Sequence, residues 1–160
     1  MPVGVEFNVR DVTGIGARLQ RLAETNPSDA LPVIGESITA KVQETFEKAQ
    51  DPYGTPWKQL SALTLAMRGA SARPLQDTRR LRNSINYQVR DGKAVAVGTN
   101  VIYARVHQFG NPTHRVFGGP VSPLPARPFL PWKTPNAKPE LPKAWMVEAV
   151  NALEALYEPT

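Results

Sequence analysis

Two histidines, His107 and His114, are the side chains of this sequence best suited to acid–base or metal chemistry. The chain has no cysteine, and two histidines without a third nitrogen or sulfur ligand do not make a zinc-type motif. No serine or threonine stands in a nucleophile elbow, and no acid pair or phosphate loop accompanies the histidines. The residues therefore predict no catalytic site, no metal and no cofactor. An enzyme remains only as an alternative in which His107 acts as a general base.

A second group that could do chemistry is the chain's one concentration of basic residues. Arginines can hold phosphate groups, and the net charge of +5 permits a nucleic-acid partner. No aromatic residue is interleaved with these arginines, so stacked bases would have no platform. A solvated or interfacial face is therefore favoured, with DNA binding as the alternative. The residues are Arg68, Arg73, Arg79, Arg80 and Arg82.

The length and composition indicate what kind of body positions these groups. A chain of 160 residues with 41% hydrophobic residues predicts one domain, 1–160, with a packed core. No apolar run is long enough to cross a bilayer, so we expect no membrane partner. The N-terminus lacks the layout of a secretory signal, and the absence of cysteine fits synthesis in a reducing cytosol.

The N-terminal half predicts a strand and two helices. Residues 3–10 alternate as a half-buried strand, and residues 13–24 have helical periodicity. The longest helix is predicted from Ala30 to Gln50, with Pro32 in its first turn. Its apolar stripe should cover a sheet and consists of Leu31, Ile34, Ile38, Val42 and Phe46.

Prolines and glycine at 52–56 end that helix, and two short helices are predicted next. The first has Ser61 as its cap and Gly69 as its stop. The second is capped by Asp77-Thr78, continues through Asn83 and turns Leu81 inward.

A β-hairpin follows, and the parity of its apolar residues predicts the loop length. A two-residue loop would pair Val89 with Ala94. A loop of three residues instead pairs Val89 with Val95 and Tyr87 with Val97, which gathers the large apolar groups on one face. We therefore expect an odd-numbered loop.

The stretch Val97–Gly110 then turns from a strand into a short helix that stops at Gly110. We expect its last turn, with His107 and Gln108, to launch the segment that follows. Its inner face is predicted to comprise Val101, Ile102, Tyr103, Val106 and Phe109.

Residues 111–142 contain 9 of the 16 prolines together with several large apolar side chains. This composition predicts an extended proline-rich arm with one β-edge segment near Val116–Phe117. Such an arm suits an assembly component, although it could instead fold onto its own core. Residues 143–157 predict a C-terminal helix. The fold class is therefore α+β, with a small antiparallel sheet of three or four strands covered by one long helix.

Four blocks of the sequence together resemble the phage virion morphogenesis family. They occur in the family's order within about residues 30–132. Arg79 stands where members commonly carry glycine, which predicts a continuous short helix there instead of a tight turn. The blocks are GTPWKQLSALTLAMR (54–68), PLQDTRRLRNSINYQV (74–89), AVGTNVIYARVHQFG (96–110) and PARPFLP (125–131).

This resemblance implies a non-enzymatic neck or tail-end component of tailed, Mu-like bacteriophages. Such proteins complete the tail and stabilise head joining as a ring, typically of six subunits, around the DNA channel. DNA would only pass through, and the partners would be other neck and tail proteins of the virion, assembled in the host cytoplasm. The implied packing residues are Trp57, Leu75, Leu81, Tyr103, Phe109 and Phe129. The candidate subunit contacts are His107, Gln108, Phe117, Arg127, Phe129 and Trp132.

Three other functions stay open from the sequence. A packaging accessory would bind DNA through the arginines of 68–82, and its affinity would fall steeply with salt. A capsid-associated assembly factor would co-purify with heads that lack tails. A nuclease would need metal ligands, for which the sequence has no set.

Overall fold

A three-stranded antiparallel sheet forms one layer of the protein, and helices cover it. The computed structural model describes residues 3–8, 27–115 and 117–157. The strands lie in the order β1-β3-β2, so the first strand pairs with the last. They are β1 (Val3–Asn8), β2 (Asn86–Arg90) and β3 (Ala94–Thr99). The helices are α1 (Pro27–Lys48), α2 (Ala62–Arg68), α3 (Arg80–Asn83), α4 (Ala104–Phe109) and α5 (Lys143–Tyr157). The helix predicted for residues 13–24 lies outside the described residues.

The β2–β3 hairpin has the predicted register. Val89 pairs with Val95 and Tyr87 with Val97, across a loop that runs from residue 91 to residue 93. Asp91 and Gly92 both take positive φ, at 53° and 61°, which lets the chain reverse tightly. The prediction of an odd-numbered loop is therefore confirmed.

Helix α1 covers the sheet with the predicted stripe, whose five residues are all buried. It begins at Pro27, three residues before the predicted start, because a proline fits well at the first helical position. Pro32 consequently lies inside the helix, and its predicted place in the first turn was wrong. Gly35 allows close approach to the sheet, since a Cβ atom there would lie 2.3 Å from Tyr87 Cδ2.

Helix α5 has the predicted bounds and packs against α1. Lys41 of α1 reaches Glu148 of α5 at 2.6 Å and Glu44 of its own helix at 2.6 Å. Burial by itself lowers the pKa of Lys41, but its hydrogen bonds to Glu148 and Glu44 outweigh burial and raise it. The apolar residues that α5 buries are Trp145, Met146, Ala149, Val150 and Leu153.

Helix α2 differs from the others because none of its seven residues, all of which the structure describes, is buried. Its ends are as predicted: Ser61 Oγ accepts the Thr64 N–H at 3.2 Å, and Gly69 ends the helix with φ of 98°. Leu63 and Met67 stand one helical turn apart and are 72% and 76% exposed. This helix therefore presents apolar side chains to solvent.

The proline-rich stretch has two parts with different packing. The first part, residues 111–124, is a loop that we call the projecting loop. The bridges Asn111–Leu124 and Arg115–Val121 close it. Of the β-edge segment predicted near Val116–Phe117, the structure has the isolated bridge of Arg115 with Val121. Phe117 lies in a turn of the loop with φ of 51°, and Val116 lies outside the described residues.

The second part enters the core. Phe129, Leu130 and Pro131 are fully buried, and the Phe129 ring lies 5.4 Å from that of Phe46. Trp57 donates from Nε1 to the Pro128 carbonyl at 2.8 Å. The stretch is thus not an extended arm along this length, and the alternative in which it folds onto its own core holds for these residues.

Candidate functional site

Helix α4 carries the histidine and glutamine that the sequence singled out, but its inner face is not the predicted one. Ile102 is 82% exposed and Tyr103 is 36% exposed, both just before the helix. The buried residues within the helix are Ala104 and Gln108. The predicted core position of Tyr103 was therefore wrong. Six residues make fewer than two turns, which is too short for periodicity to define a face.

Gln108 is fully buried and bound entirely within its own chain. Its Oε1 accepts the backbone N–H groups of Phe129 and Leu130, each at 3.0 Å. Its Nε2 donates to the carbonyls of Leu130 at 3.1 Å and Trp132 at 2.7 Å. The amide thus supplies hydrogen-bond partners to the backbone of an irregular buried segment that does not pair with a strand. Gln108 and Phe129, both predicted as subunit contacts, lie in the core of the isolated chain.

Arg127, also predicted as a subunit contact, is only 5% exposed. Its Nε donates to the Lys58 carbonyl at 2.8 Å and its Nη2 to the Gln59 carbonyl at 3.1 Å. Within the described part of the chain, no carboxylate pairs with it. Burial lowers the pKa of the guanidinium, which nevertheless remains a cation near neutral pH.

Arg127 borders a cleft of about 850 Å³. Its walls come from four places in the sequence: the segment 58–68 with α2, residues 75–81 with the start of α3, Tyr103 and His107 at α4, and residues 114 and 122–127 of the proline-rich stretch. Five cationic side chains and one carboxylate, Asp77, line it. The cations are Lys58, Arg68, Arg79, Arg80 and Arg127.

His107 also lines the cleft, and its ring meets Tyr103 edge-on at 5.7 Å. Burial, and after it the charges of Arg127 and His114, lowers the pKa of His107, so its neutral form is favoured at pH 7. Its Nδ1 is buried and has no hydrogen-bond partner among the described groups. Over the same residues, no three His, Cys, Asp or Glu side chains come close enough to hold a metal ion.

The five arginines of 68–82 do not act as one free basic face. Arg68 pairs with Asp77 at 3.2 Å, Arg82 with Glu47, and Arg73 donates to the Glu47 carbonyl at 3.2 Å. Arg79 and Arg80 are exposed at the cleft.

The turn before α3 is not the continuous helix that the sequence predicted. Helix α3 begins only at Arg80, and Arg79 before it takes the left-handed φ of 57°. The Thr78 hydroxyl accepts the Arg80 N–H at 3.3 Å. Arg79 is the N-cap residue, and its own side chain makes no capping hydrogen bond. The tight turn is thus kept although Arg79 stands where glycine would fit with less strain.

The remaining predicted residues divide between core and surface. Trp57 and Leu81 are buried, and Leu75 packs against the core from a partly exposed position. Phe109 meets Trp132 edge-on at 5.1 Å, and Trp132 donates from Nε1 to the Ala137 carbonyl at 2.9 Å. Phe117 is fully exposed. Of the candidate contacts, Phe117 is therefore the one presented most openly to a partner.

Sequence reasoning missed two features of this region, the exposed apolar pair on α2 and the cleft itself. The Leu63–Met67 spacing was visible, but an apolar pair one turn apart is ordinarily a core contact. The cleft joins residues distant in sequence and left no local signal. Among the helices that the structure describes, none has the length and apolar character needed to cross a membrane.

The amino-acid sequence shows to which class of protein this chain belongs. The model of the phage virion morphogenesis family matches residues 9–139, and the chain belongs to that family. The chain is 32% identical over 128 residues to "Mu-like prophage FluMu G protein 2" of Haemophilus influenzae (strain ATCC 51907 / DSM 11121 / KW20 / Rd). That alignment covers 79% of this chain and 83% of the relative. No solved structure matches the chain. The resemblance noted from the four sequence blocks is thus confirmed, and the protein has a role in phage morphogenesis.

Proposed function

We propose that this protein is a structural, non-enzymatic component that completes the tail and joins it to the head of a tailed phage. It acts as a ring of identical subunits at the neck or tail end of the virion, typically a hexamer, with DNA passing through its centre. Membership of the virion morphogenesis family carries this proposal, and the relative from a Mu-like prophage supports it.

Ring closure needs a heterologous contact, in which one surface of a subunit fits a different surface of the next copy. The chain offers two exposed apolar surfaces of different shape. One is Phe117 at a turn of the projecting loop, and the other is the Leu63–Met67 pair of α2. We infer that the Phe117 loop of one subunit packs on α2 of its neighbour.

The energetics favour covering these side chains. Burying a Phe, Leu or Met side chain contributes about 1.5–3 kcal/mol each, and both surfaces are left open in the isolated chain. No other described element packs its apolar face so little as α2 does. An assembled ring would remove both surfaces from water at once.

The test has two parts. Sedimentation and negative-stain imaging of the purified protein, alone and with tail tubes, should reveal closed rings. A phage lacking the protein should accumulate full heads unjoined to tails. A protein that stays monomeric and leaves tails unaffected would contradict the ring. Empty heads would instead indicate a packaging accessory, and co-purification with tailless heads a capsid-associated factor.

A further inference from the structure

The cleft beside α4 has an excess of positive charge that the ring contact does not use. Its five cations face a single carboxylate, Asp77, which is already paired with Arg68 at 3.2 Å. Lys58, Arg79 and Arg80 are exposed at its edges. Like charges gathered in one concave place repel each other and focus a positive potential there.

Arg127 adds a buried positive charge to the exposed ones of the cleft. Its guanidinium is held by two backbone carbonyls in a position only 5% exposed, and no described carboxylate neutralises it. Removing a cation from water without a counter-charge is costly, and an anion in the cleft would supply that charge. The fold therefore maintains a cationic recess whose lining carboxylate, Asp77, is paired with Arg68, while no described carboxylate pairs with Arg127.

The geometry points to an acidic protein segment as the occupant: an extended chain whose carboxylates enter the cleft of this protein. The cleft walls are apolar as well as cationic, with Leu60, Leu75, Leu81 and Leu124 between the charges. An acidic peptide matches both, since its carboxylates meet the arginines and its apolar side chains meet the leucines.

Duplex DNA matches the recess less well. Its phosphates are fixed along the duplex backbone, whereas a carboxylate on a flexible side chain can adjust its position toward Arg127, which is only 5% exposed. This inference rests on the proposed function, because it assigns the chemical class of the virion protein that this subunit would bind.

Fluorescence anisotropy tests the inference with a short fluorescein-labelled peptide of alternating glutamate and leucine. A peptide with glutamine for glutamate and a labelled DNA duplex are measured alongside. The variant Arg79→Gln/Arg80→Gln removes two exposed charges at the cleft. The matched control, Arg90→Gln/Lys93→Gln, removes the same charge from exposed positions on the β2–β3 hairpin, which does not line the cleft. Circular dichroism verifies that both variants fold.

We expect the glutamate peptide to bind the wild-type protein and to lose roughly tenfold or more in affinity in the cleft variant only. The inference is overturned if the glutamate peptide does not bind, if both variants weaken binding equally, or if the cleft variant affects DNA alone. Sedimentation of the same proteins separates the two proposals. Rings without peptide binding contradict only the cleft assignment, and peptide binding by a strict monomer contradicts only the ring.

Discussion

Gln108 Oε1 accepts the backbone N–H of Phe129 at 3.0 Å, and this bond ties the last turn of α4 to the segment that fills the core. Phe129 in turn packs against Phe46 of α1. A buried polar side chain thus determines where an irregular, proline-rich stretch enters the protein. The arrangement explains why this stretch can be buried at all, because unpaired backbone groups inside a core are costly.

Replacing this amide is the first prediction. Gln108→Leu keeps the approximate volume but leaves the N–H groups of Phe129 and Leu130 and the Trp132 carbonyl without their partner. We expect a loss of about 3–5 kcal/mol in the free energy of unfolding, since each buried unsatisfied group costs about 1–3 kcal/mol. Urea unfolding measures it. The control is Gln88→Leu at an exposed position of β2, which should change stability by no more than about 0.5 kcal/mol. Equal effects of the two variants would show that the amide bonds are unimportant.

The left-handed residue before α3 leads to a second prediction. A non-glycine residue in this conformation raises the free energy of the folded state by about 1–2 kcal/mol. Glycine removes that strain, but it also gives the unfolded chain more conformational entropy, which lowers stability by about 0.4–1 kcal/mol. Arg79→Gly should therefore stabilise the protein by about 0.5–1 kcal/mol. Arg80→Gly removes the same charge at the first helical residue and should not stabilise it. Thermal unfolding compares the two, and a destabilised Arg79→Gly protein would show that the Arg79 side chain makes a favourable contact there.

The third prediction concerns His107 and pH. Burial, the Arg127 charge and the His114 charge keep the pKa of His107 in the folded protein below its ordinary value of 6.5. The unfolded chain therefore binds more protons between the two pKa values, and stability falls as the pH is lowered through 6.5. His107→Gln should reduce this dependence, measured as the urea midpoint between about pH 7 and about pH 5. His114→Gln should retain most of it. A His107→Gln protein with an unchanged pH profile would refute this assignment.

The fourth prediction separates assembly from folding at Phe117. Phe117→Ser removes a fully exposed ring, so the free energy of unfolding of the monomer should change by no more than about 0.5 kcal/mol. Ring formation should be lost, because the proposed contact buries this side chain. Val121→Ser, in the same loop but less exposed, serves as the comparison and should weaken assembly less. Light scattering gives the molar mass of each variant. If the Phe117→Ser protein still forms rings, the subunit contact must lie on another surface.

Local sequence pattern was enough for several of the regular elements. The apolar stripe of α1, the caps of α2, the register of the β2–β3 hairpin and the bounds of α5 all follow from spacing over a few residues. Each is a short-range property, since helical and strand periods repeat within the segment itself. The four sequence blocks likewise sufficed to indicate the family.

The tertiary structure alone decided which side chains of α4 face inward and where the proline-rich stretch goes. Gln108 is buried and Tyr103 is not, because the backbone of residues 129–132 needs an amide partner and lies on that side of the short helix. The cationic cleft has the same origin, since Arg127 and Arg80 are distant in sequence and line one cleft only when the chain has folded. Sequence determined the elements, whereas long-range packing and the satisfaction of buried polar groups determined the site.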